Sequence, residues 1–134
     1  MTAKPERHEG GCLCGALRYR IEGPLAPSIH CHCRLCQRST GAPVVTWVSF
    51  PATRFTMTRG TPAEYASSSH GRRLFCADCG TQIAFRTTRR RDDIDVTVAS
   101  LDHPEDHAPG SHIWTESRLT WLRLDEHLPG KPQD

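Results

Sequence analysis

Apolar and polar residues alternate along Leu17-Arg-Tyr-Arg-Ile-Glu22, with Leu17, Tyr19 and Ile21 in one phase and Arg18, Arg20 and Glu22 in the other. A period of two is the mark of a half-buried strand. The run Pro43-Val-Val-Thr-Trp-Val-Ser-Phe50 is β-branched and aromatic, and Pro51 closes it. The same reading predicts strands over residues 54–58, 72–75, 81–85 and 94–98. Arg89-Arg-Arg-Asp-Asp93 lies between the last two and predicts a solvated hairpin loop, its opposite charges side by side, rather than a nucleic-acid patch. Helical spacing is scarce. Residues 34–39 predict about one turn, ended by Gly41 and Pro43, while 102–106 and 116–119 are too short to assign. The expectation is one mainly β domain over residues 8–128, with tails at 1–7 and 129–134 and loops that carry the cysteines.

Composition narrows the class. The 134 residues suit a single core, and 37% hydrophobic with 24% charged residues is an ordinary globular balance. Only 7% are aromatic, so the core rests on aliphatic side chains and on some added cross-link. A formal charge of +2 gives no reason to expect nucleic acid or an anionic membrane. No apolar run is long enough to span a bilayer, and the first nine residues lack the apolar stretch of a signal peptide. A cytoplasmic location, where thiols stay reduced, is therefore expected.

Seven cysteines then need a reason, because an odd number cannot all pair and the compartment disfavours disulfides. They fall into Cys12-Leu-Cys14-Gly, Cys31-His-Cys33-Arg-Leu-Cys36 and Cys76-Ala-Asp-Cys79-Gly. Gaps of one and two residues let thiolates curl around one tetrahedral ion. Gly15 and Gly80 permit the tight turn that aims amides at sulfur. The two pairs ending in glycine form one expected zinc site, Cys12, Cys14, Cys76 and Cys79, closed by four ligands and structural. Cys31, Cys33 and Cys36 form a second, whose vacancy for water or substrate is how catalytic zinc sites are built. The alternatives are a triplet completed by His30, His32, His70 or His112, and a redox role for the Cys76–Cys79 pair.

The ordered set Gly11-Cys-Leu-Cys-Gly15, His30-Cys-His-Cys-Arg-Leu-Cys-Gln-Arg-Ser39, Gly41-Ala-Pro43 and Phe75-Cys-Ala-Asp-Cys-Gly80 resembles the glutathione-dependent formaldehyde-activating enzyme family. His112-Ile-Trp114 and Ser117-Arg-Leu-Thr-Trp-Leu122 resemble its C-terminal signature. The resemblance implies an Mss4-like fold of small stacked antiparallel sheets stapled by zinc, and the same division of cysteines into structural and activity-associated sites. It implies a carbon–sulfur lyase or synthase acting on a thiol–aldehyde adduct such as S-hydroxymethylglutathione, with glutathione or a relative as the small-molecule partner. A thiol at the open site would be ionised, and so nucleophilic toward an aldehyde. Arg34, Arg38 and Trp47 lie near the triplet in sequence and read equally as contacts of a tripeptide or as surface cations and a packed aromatic, so they are not counted among the site residues. The other functions weighed are a non-catalytic zinc module binding a protein or nucleic acid, and methionine sulfoxide reduction, which needs a metal-free redox cysteine.

Overall fold

The computed structural model describes residues 6–134, and its ten strands form two sheets. The smaller sheet is antiparallel, in the order β1 (Arg7–Gly11), β2 (Arg18–Glu22) and β5 (Phe55–Arg59). The larger has seven strands in the order β10-β3-β4-β9-β8-β7-β6. Here β3 is Ser28–Cys31, β4 Val45–Pro51, β6 Ala63–Ala66, β7 Gly71–Phe75, β8 Gln82–Thr87, β9 Asp93–Thr97 and β10 Pro109–Ile113. All its pairings are antiparallel except β10 with β3, which is parallel and carries a register shift after Pro109.

The alternation seen in sequence is what joins the sheets. Tyr19 and Ile21 of β2 are fully buried, and Leu17 just before it is buried as well. They pack into one cluster with Val48 and Phe50 of β4, Leu74 of β7, Ile83 and Ala84 of β8, and Ile94 and Val96 of β9. Burying a side chain of this kind contributes about 1.5–3 kcal/mol, so the contact between sheets is the main apolar source of stability. The predicted hairpin loop is a short 3-10 turn at Thr88–Arg90 leading into β9. Arg90 pairs there with Asp95 at 2.6 Å, which answers part of the basic run locally.

Four strands fall outside the sequence expectation: β1, β3, β6 and β10. The expected C-terminal tail also has partners. His112 N–H donates to Pro129 O at 2.8 Å, Lys131 N–H to His112 O at 3.0 Å, and Thr115 N–H to Lys131 O at 3.0 Å. Residues 129–133 thus run along β10 and the turn after it. At the other end β1 begins at Arg7, and residues 1–5 of the expected N-terminal tail lie outside the described residues. Among the described residues no helix is long and apolar enough to cross a membrane.

Candidate metal centres

The first centre is built by two turns at the ends of strands. Cys12 and Cys14 follow β1, and Cys76 and Cys79 follow β7. Gly15 N–H bonds Cys12 O at 3.2 Å, and Gly80 N–H bonds Cys76 O at 2.8 Å. Both glycines sit in the left-handed region, at φ 81° and 82°. A Cβ at either would meet no atom within 4 Å, so glycine is required for its backbone conformation and not for space. The Cys12 and Cys14 sulfurs are 3.6 Å apart, and those of Cys14 and Cys76 are 3.8 Å apart. All four lie within 4.8 Å of one another. Four sulfurs about 2.3 Å from a tetrahedral zinc are about 3.8 Å from each other, so the cage fits that ion.

Thr81, which sequence reasoning passed over, links the two turns. Its hydroxyl accepts from Leu13 N–H at 3.1 Å and contacts Cys79 Sγ at 3.3 Å. Leu17 N–H donates to Cys12 Sγ at 3.2 Å. The Thr81 hydroxyl, with the amides of Thr81 and Cys14, pushes the Cys79 thiol down to about 5 and so favours the thiolate a metal requires. Cys14 is exposed, so water also relieves the charge of this cluster.

The second centre lies where β3 runs into the helix α1 (Arg34–Thr40). Cys31 ends the strand, Cys33 is the residue before the helix, and Cys36 is in its first turn. The helix closes on Gly41 at φ 74°. Gln37 fastens it in place, its amide donating to His32 O at 3.0 Å and to Ser117 O at 3.3 Å. Cys31 and Cys36 are buried with sulfurs 3.7 Å apart, and Cys33 is half-buried. They rest on a second apolar cluster with Val45, Trp47, Phe85, Ile113 and Trp114. Hydrogen bonds from Cys31 and Cys36, and then the amides of Cys36 and Leu35, hold the Cys33 thiol far below the ordinary range. Hydrogen bonding with Cys33 and Cys36, and then burial, hold the Cys31 thiol above it. One sulfur of the trio is thus ready to be an anion, the state in which cysteine ligates metal.

The histidines considered as a fourth ligand do not join the three sulfurs, and His32 Nδ1 is buried with no hydrogen-bond partner. His30 contacts Thr46 Oγ1 through Nδ1 and Asp125 Oδ2 through Nε2, both at 2.8 Å. His112 Nε2 lies 2.9 Å from the Asp125 carbonyl, which can only accept, so this nitrogen carries the proton. His112 Nδ1 then accepts from His32 Nε2–H at 2.8 Å. His70 is 3.2 Å from Thr88 Oγ1. Among the described residues no histidine, aspartate or glutamate joins the three cysteines as a donor. His30, His32 and His112 instead fasten β3 and β10 to the C-terminal segment, where Asp125 takes a left-handed φ of 43°.

Arg73 was not anticipated. It is 4% exposed, with Nη1 and Nη2 each 3.7 Å from Cys36 Sγ and its guanidinium carbon 4.8 Å from the centre of the Phe85 ring. The sequence signal was slight: two adjacent arginines on a strand must face opposite sides, and one side is covered. Of the residues named as near the triplet, Trp47 is buried in its apolar cluster. Arg34 and Arg38 border a groove of about 440 Å³ with Trp121 and Leu119.

The chain is similar to known proteins in fold and in sequence. The chain superimposes on a crystal structure of a Rhodobacter sphaeroides protein with a TM-score of 0.59 and 19% identity, covering 91% of this chain and 98% of that one, a likeness of fold. It is 34% identical over 90 residues to an uncharacterized lyase of Schizosaccharomyces pombe, the match spanning 60% of this chain and 58% of that protein. A Halomonas elongata protein with the provisional name glutathione-dependent formaldehyde-activating enzyme is 23% identical over 128 residues, covering 87% of this chain and 80% of that protein. The sequence model of the family described as glutathione-dependent formaldehyde-activating enzyme matches residues 7–117, through every cysteine of both centres, and the chain belongs to that family.

Proposed function

We propose that this chain is a zinc-dependent carbon–sulfur lyase that joins or releases a small thiol and an aldehyde, with S-hydroxymethylglutathione as the adduct. Cys12, Cys14, Cys76 and Cys79 would hold one zinc as a structural staple, and Cys31, Cys33 and Cys36 would hold the second. One observation carries the reading: the first cluster offers four sulfurs and the second only three, with no further histidine, cysteine, aspartate or glutamate in reach among the described residues. The family match and the lyase named among its relatives support the class of reaction.

Bound zinc in the second centre would keep a substrate thiol ionised at neutral pH. The chain's own residues set the conditions around it. Val45, Trp47, Phe85, Ile113 and Trp114 keep water from the inner side, while half-buried Cys33 marks the side open to a ligand. Arg34 and Arg38 line the neighbouring groove, placed to meet the carboxylates of a tripeptide. The reaction balances without an outside reagent. The sulfur pair forms the new carbon–sulfur bond, the carbonyl π pair moves onto oxygen, and the proton lost by the thiol ends on that oxygen. The reverse path is the lyase direction. A cytoplasmic location, with its reduced thiol pool, suits this chemistry.

The adduct also forms unaided, so the test is acceleration. Exchange between glutathione, formaldehyde and their adduct, followed by exchange NMR, should quicken with the two-zinc protein and return to the buffer rate with Cys33→Ser. A two-zinc wild type that leaves the buffer rate unchanged would overturn the reading.

A further inference from the structure

Arg73 is a buried cation whose partner is sulfur. None of the ion pairs among the described residues includes it. Its two Nη atoms sit on Cys36 Sγ, and its Nε has no hydrogen-bond partner. An arginine cannot shed its proton to escape burial. A charge withdrawn from water needs an opposite charge close by, and the ring of Phe85 offers only a modest attraction. A neutral thiol is a weak acceptor and cannot answer a full positive charge. A thiolate ligand at Cys36 can.

We infer that Arg73 is the charge-balancing residue of the three-cysteine centre, a positioning residue that acts through Cys36 to hold the metal there. This rests on the reading of the triplet as a metal site. Three thiolates on a divalent ion leave one negative charge, and one guanidinium cancels it inside the protein. The four-cysteine centre carries two negative charges and has a different remedy: exposed Cys14, the Leu17 amide on Cys12 and the Thr81 hydroxyl at Cys79. The buried centre lacks that access to water, so its cation is built in. The same cation eases the arrival of a substrate thiolate, which would add a further negative charge.

The test uses the full chain and reads zinc affinity at each centre by competition with a chromogenic chelator. Arg73→Met keeps an unbranched side chain and removes the charge, while Arg73→Lys keeps the charge. The expected result is a loss of about 10–100-fold in affinity for the weaker-bound zinc in Arg73→Met. The tighter-bound zinc should stay within about two-fold, and Arg73→Lys should recover most of the loss. The inference is overturned if Arg73→Met binds both ions as the wild type does, or if Arg73→Lys is as weak as Arg73→Met. Should Arg73→Met melt too low to titrate, the Cys36→Ala background decides. With the anion gone, adding Arg73→Met should cost little or raise the melting temperature, and a loss as large as that in the wild-type background contradicts the pairing. A wild type that binds a single zinc would overturn the metal reading and this inference together. A two-zinc wild type with an indifferent Arg73→Met overturns this inference alone.

Discussion

After β1 and β7 two glycine-closed turns bring four cysteines together, with Cys76 buried and Cys14 open to water. At the junction of β3 and α1 three cysteines gather inside, with Cys31 and Cys36 buried against Trp47 and a guanidinium at the Cys36 sulfur. The donor atoms are the same, yet the surroundings differ in every physical respect. The outer cluster joins segments more than sixty residues apart, and its charge is relieved by water, amides and a hydroxyl. The inner cluster spans six residues, stitches nothing distant, and meets its charge with a fixed cation. A site that staples the fold needs all its ligands and tolerates solvent. A site that admits a substrate needs a vacancy, dry walls and a charge environment set beforehand.

The contrast breaks most severely if the outer cluster proves dispensable. Cys76→Ser should abolish folding, because structural zinc in small domains contributes about 10–16 kcal/mol, as much as or more than the roughly 5–15 kcal/mol net stability of a domain. Loss of the folded circular dichroism signal together with zinc is the expected readout. Cys33→Ser should instead stay folded, lose one zinc, and drop the catalysed exchange rate at least about 100-fold. A graded chelator titration sharpens the same point, with one zinc leaving before the unfolding transition and the other within it.

Smaller changes probe how each cluster is held. Thr81→Val removes the hydroxyl shared by Leu13 and Cys79 and should cost about 1–2 kcal/mol in denaturant unfolding, leaving the inner centre's zinc affinity unchanged. Gly80→Ala meets open space but a positive φ, and should cost about 1–2 kcal/mol for that reason alone. The smallest effect belongs to a pair beside the first turn, where Arg18 holds the Asp102 carboxyl below its ordinary value. Its stability is present above pH ~4 and is lost as pH falls through the lowered value. The pair is about one-third exposed, so Asp102→Asn should cost under about 1 kcal/mol, and only above that acid range.

Legibility in the sequence follows the local signal. The strands β2, β4, β8 and β9 bury apolar residues at period two or in β-branched runs, while β5 half-buries Phe55 and Met57 and β7 buries Leu74, and pattern alone finds them. The others bury little that is apolar. β1 is Arg-His-Glu-Gly-Gly, β6 is an exposed edge, and β3 and β10 meet through histidines whose partners are other histidines and Asp125. Their order comes from tertiary hydrogen bonds that no window of sequence contains. The tail at 129–133 reads as loose because Pro and Gly carry no pattern, yet its backbone groups bond to the chain around His112. The cysteine clusters were legible because their spacing is itself the chemistry. Arg73 was not, because its meaning appears only when a strand 37 residues downstream brings the cation to Cys36.

The central claim is that the two clusters hold two zinc ions of different kind. Zinc per chain in the wild type and in Cys33→Ser, each with and without glutathione, tests it most directly. The account predicts two ions falling to one in a folded variant, with glutathione slowing loss of the second ion from the wild type and having no effect on the variant. One ion in both proteins, indifferent to glutathione, would contradict it.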